Sequence, residues 1–167
     1  MILVCIFALF LVGCAQSDSQ SGDYAVVIDG IGVPKSHFNF YLNRAHDAFL
    51  IHPEMVTSND PNAQAIEISL DAIIEMHVVT RRAADFGMSI ADVDADDVQA
   101  HLDFFRTILA GSGDTDPIAD MGFTDDEFRE FLSLAALHGL MAQEIDELDG
   151  EKVENWIAES DIEIKIP

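Results

Sequence analysis

The last strand-like segment of the chain places the strongest constraint on its fold. In Ile162–Ile166, isoleucine alternates with a charged residue, which is typical of a β-strand with one exposed face. A lone strand needs a partner to be stable. The only other β-prone segments are Tyr24–Ile28 and Ile31–Val33, which flank the turn-forming dipeptide Asp29-Gly30. The sequence therefore predicts that the two ends of the domain meet in one small sheet.

Between these strands, apolar residues recur at helical spacing. Thr124 and Glu127 have the spacing of a capping box, and Gly87 is the expected stop of a long helix. We predict a mainly α fold with a small terminal β element, formed by residues 24–167 as one domain. Pro34 suits the first turn of a first helix, whose apolar stripe is Phe38, Tyr41, Leu42, Ala45 and Phe49. The other expected helices are one from Asn62 to Phe86, one capped by Asp92 or Asp94, one behind Thr124 and one from Glu151 to Glu159, with a turn-rich loop over Gly111–Pro117.

Residues 1–13 have the features of an export signal. Ile2–Val12 is almost wholly apolar, but at ~1.5 Å per residue it is too short a helix to cross about 30 Å of hydrocarbon. Leu11–Cys14 resembles the lipobox at which lipoprotein signal peptidase cleaves. We expect a signal peptide over 1–13, a lipidated Cys14 and a flexible tether over 14–23, anchoring the protein to a membrane on the extracytoplasmic side of the cell envelope. Because no Lys or Arg precedes the apolar run, an ordinary apolar leader that merely contains a cysteine is the other interpretation.

The charge balance restricts the class of partner. The chain has 31 acidic and 8 basic residues, for a net charge of −23, so nucleic acid and anionic lipid headgroups are poor partners. An acidic surface is also typical of proteins from saline habitats. The sequence does not distinguish whether the acidity reflects the habitat or the function. Cys5 lies in the leader and Cys14 takes the lipid, which leaves the domain without a disulfide or a free thiol.

Five segments, taken in order, resemble the N-terminal chaperone domain of the SurA and PrsA family of extracytoplasmic foldases. They cover nearly all of the predicted mature chain. The segments are Val26–Val33 with Phe38, Ala84–Ile90, Asp97-Val98 with Leu102, Met121–Arg129, and Val153–Ile157 with the isoleucine-rich terminal strand.

The chain departs from this family in one way that bears on function. Family members usually carry a parvulin prolyl-isomerase domain between the helical body and the returning helix, whereas here Ile145–Glu151 joins those parts directly. The resemblance therefore implies a binding module without isomerase activity, a holdase that shields apolar segments of unfolded or assembling envelope proteins. The alternative is a dedicated subunit with one fixed partner in an envelope complex, because fold resemblance does not determine function.

No arrangement of residues indicates an enzyme, a metal site or a cofactor. Asp92, Asp94 and Asp96 imitate the start of a calcium loop, but Asp97 and Asp103 stand where that loop needs glycine and glutamate. Capping of a helix explains these aspartates better. The histidines show no zincin spacing, and His77 and His138 lie among apolar residues, as hydrogen-bonded core or boundary residues do.

Aromatic and methionine side chains are the candidates for client binding. The same residues at helical spacing are also consistent with an ordinary core. A strand-swapped homodimer is a further alternative, because the final strand follows a hinge at Asp149-Gly150. The candidate client-binding residues are Phe104, Phe105, Phe123, Phe128, Phe131 and Met141.

Overall fold

The first and last elements of the domain form one antiparallel sheet. The computed structural model describes residues 23–109, 116–144 and 150–166. Its strands are β1 (Tyr24–Ile28), β2 (Ile31–Pro34) and β3 (Ile162–Ile164), in the order β2-β1-β3. Val26 pairs with Ile164 and Ile28 with Ile162, so the prediction that the two ends meet is confirmed.

The turn between β1 and β2 also helps to hold the final strand. Asp29 and Gly30 both have positive φ, 49° and 78°, as a tight hairpin requires. The Asp29 backbone N–H donates to the Asp161 carbonyl over 2.8 Å, and the Asp161 N–H donates to Asp29 Oδ1 over 2.8 Å. In this structure β3 pairs within its own chain. Asp149, one half of the predicted hinge, lies outside the described residues.

Six helices separate β2 from β3 in the described part of the chain, which confirms the mainly α fold class with a small β element. Three short 3₁₀ segments connect them, at Pro53–Met55, Ala83–Phe86 and Ile90–Asp92. None of the helices in the described ranges is long and apolar enough to cross a membrane. The helices are α1 (Lys35–Ile51), α2 (Pro61–Arg81), α3 (Ala95–Leu109), α4 (Pro117–Asp120), α5 (Asp125–Glu144) and α6 (Gly150–Glu159).

Polar side chains define where these helices start. Thr124 and Glu127 form the predicted capping box, in which Glu127 accepts from the Thr124 N–H at 2.7 Å. Asp94 Oδ1 accepts from the Asp96 N–H at the start of α3, and Asp92 accepts from the Ser89 N–H. Two of the three aspartates that imitate a calcium loop, Asp92 and Asp94, therefore cap backbone N–H groups, as predicted from the sequence, and Asp96 lies in the first turn of α3.

Three details differ from the sequence-based expectations. The long helix ends at Arg81 rather than Phe86, because the chain tightens into a 3₁₀ turn before Gly87 takes a left-handed conformation with φ 72°. Pro34 lies at the end of β2 and forms the N-cap of α1 rather than its first turn. The one-turn helix α4 follows Asp116, whose side chain accepts from the Ile118 N–H; it begins at Pro117, the last residue of the predicted loop, where no helix was predicted.

Two buried clusters make up most of the core. The sheet cluster packs Val26, Ile28 and Val33 against Ile73 and Val78 of α2. The aromatic cluster packs α3, α4 and α5 together around fully buried side chains. The two meet along α1 and α2, where Tyr41 contacts both. The main members of the aromatic cluster are Met76, Leu102, Ile118, Phe123, Phe128 and Phe131.

Candidate binding groove

A groove of about 500 Å³ lies between α1, α3 and α4. Phe40 of α1, Phe104 and Phe105 of α3, and Met121 after α4 form its apolar floor. The polar groups around it are Asn43, Arg44, His46, Asp47 and Asp120.

The floor of the groove is the outward end of the aromatic cluster. The ring centroid of Phe40 lies 4.8 Å from that of the buried Phe131 and 5.6 Å from that of Phe105. Phe104 lies edge-on to Phe105 at 6.0 Å, and 57% of its surface is exposed. Edge-to-face contacts of this kind are favourable, so the floor is held in place from behind. The exposed side chain of Phe104 is thus packed against aromatic residues that are themselves held in the core.

A hydrogen bond connects two of the elements that line the groove. The Asn39 side-chain amide donates to the Met121 carbonyl over 3.2 Å, linking α1 to the turn after α4. Gly122 takes the left-handed conformation in this turn, with φ 87°. The backbone then runs into Phe123, whose ring is buried. This hydrogen bond and turn help to hold α4 against α1.

The structure separates the six predicted client-binding residues into two groups. Phe104 and Phe105 line the groove. Phe123 is 4% exposed and Phe128, Phe131 and Met141 are fully buried, so these four side chains are not accessible to a client in this structure. The reason is that they pack within the protein core: Phe123, Phe128 and Phe131 in the aromatic cluster, and Met141 against Val79, Ala83 and Leu137.

Sequence reasoning missed the contribution of α1 to the groove. Phe40, Asn43, Arg44 and Asp47 have the i, i+3, i+4, i+7 spacing of one helix face. The predicted inward stripe of this helix runs through Phe38, and Phe40 lies outside it. An aromatic residue off the apolar stripe, with polar neighbours one turn away, was the available signal.

The charged groups that line the groove form no ion pair with another described residue. Arg44, Asp47 and Asp120 form no salt bridge with any residue that the structure describes. Asn43, Arg44 and Asp47 are exposed. These groups remain available to orient a bound segment.

Behind the groove, a buried histidine of α1, His37, contacts a half-buried histidine of α2, His77. His37 Nδ1 and His77 Nε2 are 3.0 Å apart, and the two rings stack at 5.2 Å. The rings of Phe123 and Phe131 enclose His37 at 5.7 and 4.7 Å. Burial lowers the pKa of His37 to about 4 and that of His77 to about 3. Both rings are therefore neutral at pH 7, and the prediction that His77 is a hydrogen-bonded core or boundary residue is confirmed.

A second apolar surface lies away from the groove, at the end of α1. Leu50 is 83% exposed, Ile51 is 71% exposed, and Met55 in the following 3₁₀ turn is 49% exposed. Single exposed apolar residues are ordinary on protein surfaces, but neighbouring ones mark candidate interaction sites. We call Leu50, Ile51 and Met55 the α1-end patch.

Comparisons with protein-family models, curated protein sequences and solved structures returned no match. The predicted lipidation site Cys14, the signal peptide and most of the tether lie outside the described residues.

Proposed function

We propose that this protein is a lipid-anchored extracytoplasmic holdase, which binds apolar segments of unfolded or assembling envelope proteins without isomerase activity. The observation that supports this function best is the groove between α1, α3 and α4, where Phe104 stands exposed on a buried aromatic support. The anchor is the predicted lipid on Cys14, which would hold the groove close to a membrane.

The size and chemistry of the groove suit side-chain capture. Its volume of about 500 Å³ lies within the range of ligand sites in proteins, roughly 300–1,000 Å³. Burying one large apolar side chain contributes about 1.5–3 kcal/mol, which is enough for weak binding and too little for a permanent complex. A holdase requires this kind of affinity, because its clients must be released.

The first test is suppression of aggregation. An unfolded secreted or outer-membrane protein is diluted from denaturant into the full chain, held in phosphatidylcholine nanodiscs, and light scattering is recorded. Empty nanodiscs and an inert acidic protein of matched charge are the controls. We expect suppression well beyond both controls, and scattering that matches theirs would overturn the proposal.

A pair of variants locates the activity. Phe104→Ala removes the exposed aromatic from the groove, whereas Leu50→Ala removes an exposed apolar side chain outside it. Truncating a central aromatic at a binding surface costs more than ~1 kcal/mol, so the Phe104 variant should need about fivefold more protein for half-suppression. The Leu50 variant should behave like the parent. Equal losses in both would argue against the groove.

The α1-end patch favours a second candidate, a dedicated subunit that binds one fixed envelope partner. If the protein is such a subunit, Leu50→Ala should abolish binding of the envelope partner and Phe104→Ala should not. Crosslinking in intact cells from position 50 and from position 104 separates the two functions. One discrete product from position 50 supports the subunit, and many products from position 104 support the holdase.

A further inference from the structure

The basic residues of this protein are mostly occupied by its own carboxylates. Ion pairs between described residues are formed by six of the 8 lysines and arginines: Lys35, Arg81, Arg82, Arg106, Arg129 and Lys165. With 31 acidic residues, most carboxylates are left without a cationic partner within the chain. The surface is therefore strongly complementary to a positively charged partner.

The groove has the same excess of carboxylates over cations as the rest of the chain. Asp47 and Asp120 border it, and among the described residues that line it Arg44 is the only lysine or arginine. None of the three has an ion-pair partner among the described residues. An apolar floor with two unpaired carboxylates at its edge differs from a purely apolar cleft, because it selects by charge as well as by size.

From these observations we infer that the groove binds extended protein segments in which a large apolar side chain lies next to a lysine or arginine. This inference rests on the proposed function and names the class of segment that it takes. The apolar side chain packs on Phe104, Phe105 and Phe40, while the neighbouring ammonium or guanidinium meets Asp47 or Asp120. Arg44 can donate to a backbone carbonyl of the bound segment.

The net charge of the protein also favours cationic segments before they contact the groove. A charge of −23 attracts cationic segments and repels acidic ones before they touch the surface. The attraction is screened within about 8 Å at physiological ionic strength, so both the preference and the association rate should fall as salt is added. Binding of a neutral apolar segment should depend little on salt.

The test compares four fluorescein-labelled nonapeptides by fluorescence anisotropy on the full chain in phosphatidylcholine nanodiscs. They alternate Phe with Lys, Phe with Ser, Phe with Glu, and Ser with Lys. We expect the Phe–Lys peptide to bind most tightly and the Phe–Glu peptide least. If the Phe–Ser peptide binds as tightly as Phe–Lys, the inference fails while the proposed function stands. If Ser–Lys equals Phe–Lys, the recognition is charge alone and the inference also fails.

Matched charge-removing variants assign the effect to the groove. Asp47→Asn with Asp120→Asn should weaken binding of the Phe–Lys peptide about fivefold at low salt, as two exposed ion pairs would give. Glu67→Gln with Asp71→Asn removes the same charge from an exposed face of α2 and should leave the affinity unchanged. Equal weakening in both variants would overturn the assignment. Loss of binding for every peptide, with no aggregation suppression, would instead count against the proposed function.

Discussion

The contacting histidines His37 and His77 make the stability of the fold depend on pH. Protonation of either ring places a charge between α1 and α2, in a site enclosed by Phe123 and Phe131. The charged groups that act on the pair are Glu127, which raises the pKa of His37, and Arg81, which lowers that of His77. Desolvation by burial is the larger cause for both rings and lowers both pKa values.

The direction follows from proton binding in the two states. The ordinary histidine pKa of 6.5 applies to the unfolded chain, and the folded values are about 4 and about 3. Between these pKa values the unfolded state binds more protons than the folded state. The contribution of the two neutral rings to the free energy of unfolding is therefore fully present above about pH 6.5 and decreases as the pH falls. Between neutral pH and pH 5, each ring lowers the free energy of unfolding by about 2 kcal/mol, and the pair lowers it by about 4 kcal/mol. That is a large share of the roughly 5–15 kcal/mol by which domains are stable.

Urea unfolding at pH 7.5 and pH 5.0 measures this loss, with the fluorescence of Trp156 as the probe. For a slope of about 2 kcal/mol per molar, the midpoint should fall by about 2 M. The variant His37→Gln with His77→Gln keeps donors and acceptors but cannot titrate, so its midpoint should change far less. Equal shifts in both proteins would refute the reasoning. Should the variant fail to fold, proton NMR of the parent must still find two of its 6 histidines neutral at pH 5.

Three further predictions test the local arguments. Thr124→Ala removes the hydroxyl that accepts from the Glu127 N–H, and it should destabilise the protein by about 1 kcal/mol in urea unfolding. Gly87→Ala and Gly139→Ala both add a methyl group into open space, but Gly87 has φ 72° and Gly139 lies inside α5. The first should therefore lower the unfolding free energy and the second raise it, each by about 0.5–1 kcal/mol; equal signs would contradict the argument. Cys14→Ser should move the protein from the membrane fraction to the soluble extracytoplasmic fraction, and retention in the membrane would argue against a lipid anchor.

The sequence was most informative where one local pattern allows few structures. The alternation in Ile162–Ile166 left only the N-terminal hairpin as a partner, and the Thr124–Glu127 spacing located the start of α5 correctly. The groove was harder to predict because its lining residues come from three helices distant in sequence. Phe104 and Phe105 are adjacent and both aromatic, yet one is mostly exposed and the other half-buried. Composition cannot distinguish them, since the difference depends on how α3 rotates against α5.

The groove and the histidine pair lie on the same side of the core. Phe131 contacts His37 on one side and Phe40 on the other, with ring centroids at 4.7 and 4.8 Å. A charge on His37 therefore acts one ring away from the floor of the groove, whereas the sheet is held by a separate cluster around Ile73 and Val78. We expect acid to loosen the α1–α3 side of the domain before it disrupts the pairing of β1 with β3. Hydrogen exchange at pH 4, where about half of the folded molecules carry a proton on His37, should thus show protection lost in α3 while the backbone N–H groups of the sheet remain protected. Simultaneous loss would mean that the two clusters unfold as one unit.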